Sequence, residues 1–169
     1  MIRRIFLAFL IFLFSAVAVY GQFAWNMTPV DTTAWTVNLS AANIPTGAGG
    51  DFTTPIQSSA NLVDIDLTLL TSNPWTLTIE RLDTVWDADA VISAAVTSVG
   101  TAGGSGGGYT STATYGLNVF SPITTVAKTF ISGKKIRNDI RFQYQLSGHS
   151  VGTVPPGNYS TTIIYTLIN

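Results

Sequence analysis

The glycine-rich run Gly103-Gly104-Ser105-Gly106-Gly107 has the form of a nucleophile elbow, in which glycines permit a strained strand-to-helix turn that exposes a serine. Its surroundings favour plain flexibility. No helix-forming run follows Ser105, and the single histidine, His149, lies in a Ser-Gly turn with Asp139 the one evident acid to orient it. The run also lacks the Lys-Ser/Thr ending of a phosphate cradle and the spacing of a dinucleotide loop. With no cysteine in the chain, His149 cannot complete a zinc site of four nitrogen or sulfur ligands. Oxygen ligands of the kind calcium prefers occur as Asp83, Asp87 and Asp89 in one stretch, and as Asp64, Asp66 and Glu80 in a weaker set. Neither follows the spaced EF-hand loop, so solvated acids are the simpler reading, calcium at Asp83, Asp87 and Asp89 is a weak candidate, and no cofactor is expected. Nothing singles out a carboxylate pair for sugar hydrolysis either. The expectation is a protein that binds or builds, not an enzyme.

The aromatic residues carry more. Trp35 and Trp75 fall in alternating inward positions and read as core, whereas Trp86 sits among the acids and is the better candidate for a flat face against a glycan. Phe23, Trp25 and Met27 alternate with Gln22, Ala24 and Asn26 like an edge strand, and Pro29 then ends the pairing. Residues 22–28 are therefore either the first strand of their own domain or an arm that pairs with the open sheet edge of a neighbour. Sequons at Asn26, Asn38 and Asn158 matter only in a host that glycosylates.

The elements that must position these residues begin after a leader. Arg3 and Arg4 precede an uncharged apolar run from Ile5 to Val19, about 15 residues against the roughly 20 a membrane-spanning helix needs. That is the layout of a removed export signal, with cleavage expected after Gly21 or after Ala18, so the membrane enters only through this segment. Residues 22–169 then suit a single domain in an extracytoplasmic setting, secreted or on the cell surface. Six basic residues remain there against nine acidic ones, a net charge of about −3, which offers nothing to nucleic acid. Charged residues make up only 10% of the chain, where about 25% is usual. A surface of Thr and Ser with so little charge suits packing against copies or other surface proteins.

Period-two alternation recurs and helical spacing is nearly absent. Strands are expected around Trp35–Leu39, Val63–Leu69, Trp75–Ile79, Thr112–Phe120, Thr125–Ile131, Asp139–Leu146 and Asn158–Ile168, with a turn at Gly133–Lys135. Residues 90–99 fit helix or strand, and strand is chosen; 83–89 and 100–108 read as loops. If Val63–Leu69 and Trp75–Ile79 form a hairpin, Asp64 faces Glu80, and like charges then oppose. A cation between them, or a β-arch that carries the second strand to an opposite sheet, removes the conflict.

The stretches Ser72-Asn73-Pro74-Trp75-Thr76-Leu77-Thr78-Ile79 and Val154-Pro155-Pro156-Gly157-Asn158-Tyr159-Ser160-Thr161-Thr162-Ile163-Ile164-Tyr165-Thr166-Leu167 resemble exported bacterial immunoglobulin-like sandwiches, the group that includes fimbrial subunits and spore-coat-U-like proteins. The resemblance covers about a quarter of the chain after the leader and departs from the group in lacking a disulfide. Seven or eight short strands with no βαβ rhythm imply an all-β antiparallel β-sandwich, with a closed barrel as the alternative, and the resemblance makes the sandwich immunoglobulin-like. Export, low charge and the sandwich pattern together point to a surface structural subunit, fimbrial-type or coat-type, that assembles through strand edges. An extracellular glycan-binding module using Trp86 and the acidic loop is the alternative.

Overall fold

A computed structural model of the chain describes residues 7–14, 26–32, 34–39, 55–68, 74–104, 108–148 and 158–168. Among them are twelve strands and no helix: β1 Leu7–Phe14, β2 Asn26–Thr32, β3 Trp35–Leu39, β4 Ile56–Gln57, β5 Val63–Thr68, β6 Pro74–Val85, β7 Val91–Ala102, β8 Thr110–Ala113, β9 Ser121–Pro122, β10 Lys128–Lys134, β11 Arg137–Ser147 and β12 Asn158–Ile168. The count exceeds seven or eight because the expected leader supplies β1, residues 26–32 supply β2, and β4 and β9 carry too few residues to show a period.

One sheet runs β3-β1-β12-β6-β10-β8, the other β2-β5-β11-β7-β9 with β4 also on β11. All pairings between strands are antiparallel except β1 with β12. The two inner faces share one core: Trp75, Leu77, Ile79, Ile163 and Tyr165 from the first sheet meet Val63, Ile65, Leu67, Phe142, Tyr144 and Leu146 from the second. Phe142 and Tyr165 rings lie 5.3 Å apart across the gap, and Trp35 stacks on Tyr144 at 6.3 Å. Each such buried side chain is worth about 1.5–3 kcal/mol, so a sandwich-like core of this size stands without disulfides.

β5 and β6 belong to opposite sheets, so the connection between them is an arch, not a hairpin. Asp64 faces no acid on β6. Its neighbour on β11 is Arg141, whose Nε donates to Asp64 Oδ2 at 2.8 Å. Residues 91–102 are strand throughout. Their period was ambiguous because Ile92 to Val96 are buried one after another, covered on both faces.

The expected strand at Thr112–Phe120 stops at Ala113. Gly116 (φ 88°) and Asn118 (φ 60°) are left-handed, which breaks the pleat between the apolar residues. Tyr115, Leu117 and Val119 are consequently exposed. The next strand is displaced along the chain, to Lys128–Lys134, with the turn at Lys135 and Ile136.

Candidate functional site

β6 continues to Val85, so Asp83 stands on a strand and not in the loop expected at 83–89. Its register partner is Thr161 on β12. Thr161 is fully buried, and its Oγ1 lies 2.9 Å from Asp83 Oδ1 and 3.2 Å from the Leu82 carbonyl, so one proton is shared between two acceptors. Asp83 Oδ2 is 3.5 Å from Arg81 Nη2. The Arg81 guanidinium in turn lies 5.2 Å over the Trp86 ring, a cation–π arrangement.

Trp86 is half-buried, and its indole N–H donates to the Ala90 carbonyl at 2.8 Å. Asp87 serves the turn into β7: its Oδ1 accepts the Asp89 N–H and its carbonyl accepts the Ala90 N–H. Asp83 and Asp87 thus have separate tasks, and Asp89 takes part in the turn through its backbone N–H. Among the described residues no group of three or more His, Cys, Asp or Glu is placed to hold a metal ion. Tyr159, half-buried on β12, has its phenol raised above the ordinary value by burial and then by the Asp87 charge.

Arg81, which composition alone did not single out, is the residue that ties Asp83 to Trp86. A signal for it existed: it follows Leu77 and Ile79 at the same parity, a charge placed where the pattern calls for core. Its Nε and Nη1 are buried with no hydrogen-bond partner.

The acids of the weaker set are divided between sheets. Asp64 and Asp66 on β5 meet β11, where Arg141 Nη2 also donates to Asp139 Oδ1 at 2.9 Å and the Asp139 N–H donates to Asp66 Oδ1. Asp64 raises the Arg141 pKa, first by accepting the Arg141 Nε–H hydrogen bond and then through its charge. Glu80 is on β6, in the other sheet.

The residues read as an interaction arm separate likewise. Met27 is buried on β2, in register with Leu67 of its own domain. Phe23, Trp25, Ser105 and His149 lie outside the described residues, as does the expected cleavage region.

The second notable place is a backbone lane. β12 pairs on one side with β6 and on the other with β1, from Ala8 beside Asn158 to Phe14 beside Ile164. β1 in turn pairs with β3, from Leu7 beside Leu39 to Ile11 beside Trp35. The strand that fills this lane is the apolar segment following Arg3 and Arg4.

Compared with known protein families, the chain matches no family model, and no curated protein is significantly similar to it.

Proposed function

We propose that the protein is an exported structural subunit of the cell surface, with an immunoglobulin-like sandwich, that assembles through β-strand edges. The observation that carries this reading is the place of Leu7–Phe14 between β3 and β12. If the leader is removed, the lane along Asn158–Ile164 opens: both its borders lose their backbone partners while Trp35, Val37, Thr161 and Ile163 beside it are core residues. An extended apolar strand from another molecule satisfies those backbone groups and covers that core in one step. Low charge fits the same role. The protein is then a building unit with no catalytic task.

The test is the size of the mature protein starting at Gln22, followed by size-exclusion chromatography with light scattering and by electron microscopy. Polymers, or monomers that take up an added strand-forming peptide and gain stability, support the reading. A stable monomer at high concentration that takes up no strand overturns it.

The stacking of Arg81 on Trp86 beside Asp83 favours a second reading, a glycan-binding module. Glycan-array binding by the wild type that disappears in Trp86→Ala distinguishes it from the first.

A further inference from the structure

Among the described residues β3 pairs with β1 alone, and β1 stands between it and β12. The register passes through β1 row by row: Trp35, Ile11 and Thr161; Thr36, Leu10 and Ser160; Val37, Phe9 and Tyr159; Asn38, Ala8 and Asn158. Trp35, Val37 and Thr161 are buried and Tyr159 packs against the core. Thr36, Asn38 and Asn158 are exposed, and Ser160 is half-buried. The two borders of the lane therefore turn the same face inward in every row.

Their directions agree as well. β1 is parallel to β12 and antiparallel to β3, so β3 runs antiparallel to β12. In an antiparallel pair, opposite residues aim their N–H and C=O groups both at each other or both away, whereas in a parallel pair only one of the two aims them across. Passing through one pairing of each kind brings opposite residues of β3 and β12 into the same phase. Without β1, the two strands can pair directly, with no slip and no residue turned to the wrong face. β3 is also tied to the middle of the core already. The Trp35 ring stacks on Tyr144 of β11, whose hydroxyl bonds to Tyr165 of β12.

Resting on the reading that the leader is removed and its lane receives a strand, we propose that β3 is the gate of that lane. When Leu7–Phe14 leaves, β3 steps across and pairs with β12, Trp35 opposite Thr161 and Val37 opposite Tyr159. An incoming strand has to push β3 back out. The driving force is the cost of leaving backbone groups on both borders unpaired beside an apolar edge. The mature monomer is then closed until a strand competes for that place.

The chain has no cysteine, so an engineered pair gives a single possible disulfide within one molecule. Thr36→Cys with Ser160→Cys is such a pair, on the outer face of the sheet. Strands lie about 4.8 Å apart, so β1 holds these two Cα atoms about 10 Å from each other, beyond the reach of a disulfide at about 7 Å. Side by side they are about 4.5–5.5 Å apart, within that reach. The double variant is oxidised under native conditions, once as the full chain with Met1 retained and once as the mature chain starting at Gln22. Intact mass and non-reducing electrophoresis measure the cross-link within one chain. The mature chain is expected to cross-link at least tenfold faster than the full chain, and a synthetic peptide of residues 3–14 is expected to slow it at least tenfold. Asn38→Cys with Asn158→Cys, a second pair on the same face, should behave alike. A folded mature chain that stays uncross-linked in both pairs overturns the gate, as do equal rates in the two chains or a mature chain that unfolds without the leader. Peptide uptake by an uncross-linked mature chain would leave strand-edge assembly standing. A cross-link that no added strand slows leaves β3 seated on β12 and overturns the assembly reading instead.

Discussion

The hydroxyls of Tyr144 on β11 and Tyr165 on β12 hydrogen-bond to each other across the two sheets, inside the core. Both residues are almost wholly buried, so each hydroxyl depends on the other. Removing one leaves a buried group without a partner, whereas removing both leaves an apolar contact. Tyr144→Phe or Tyr165→Phe alone is expected to cost about 1–3 kcal/mol in urea unfolding, and the double variant less than the sum of the two.

The same pair sets an alkaline limit. Burial raises both phenols above the ordinary value of 10.0, Tyr165 being raised further by its partner. The folded state therefore holds protons that the unfolded chain releases above about pH 10. Stability is fully present below that pH and declines as pH rises through the folded values. Denaturation curves between pH 9 and 12 should show this decline, and it should be smaller in the double Phe variant. An ultraviolet titration should show two tyrosines that ionise only on unfolding.

Trp75 is 1% exposed, and its indole N–H donates to the Lys135 carbonyl at 2.8 Å, which joins β6 to the turn before β11. Trp75→Ala is expected to cost about 3–5 kcal/mol. A melting temperature equal to wild type would place this side chain outside the core.

Gly133 on β10 lies directly against that ring. A Cβ there would meet the Thr110 carbonyl and come within 2.6 Å of Trp75 Cζ2. Backbone on one side and a locked indole on the other leave no room to yield, so Gly133→Ala is expected to destabilise by about 1–3 kcal/mol. Combined with Trp75→Phe, which shortens the ring, the loss should be less than additive.

Processing gives an independent check. Expressed with an export system, the protein should be recovered beginning at Gln22 or Val19, as intact mass will show. Retention of Met1 in a membrane-bound product would mean that the leader stays in place and that the lane beside β12 is not vacated.

The strands with clear alternation were legible in advance. Val63, Ile65 and Leu67, then Ile140, Phe142, Tyr144 and Leu146, and then Thr161, Ile163 and Tyr165 are all buried as their parity requires. Local spacing suffices there because one face of each strand is in the core and the other is not. For residues 90–99 only the branched residues favour strand over helix, since burial on both faces erases the period.

The acidic stretch shows where local reading stops. Asp83 and Asp87 are close in sequence but differ in role, because β6 runs on past Asp83 and places it opposite Thr161. Arg141 as the partner of Asp64 depends on the arch between β5 and β6, and that arch is decided by which sheet each strand joins. Arg137 faces the core only because β11 changes register between Arg137 and Ile140, at Asp139 with its positive φ. Alternation along each strand is a property of neighbouring residues, and the sequence by itself determined it. Sheet membership, bulges and charge partners are set by contacts between residues far apart in the chain, so only the tertiary structure decided them.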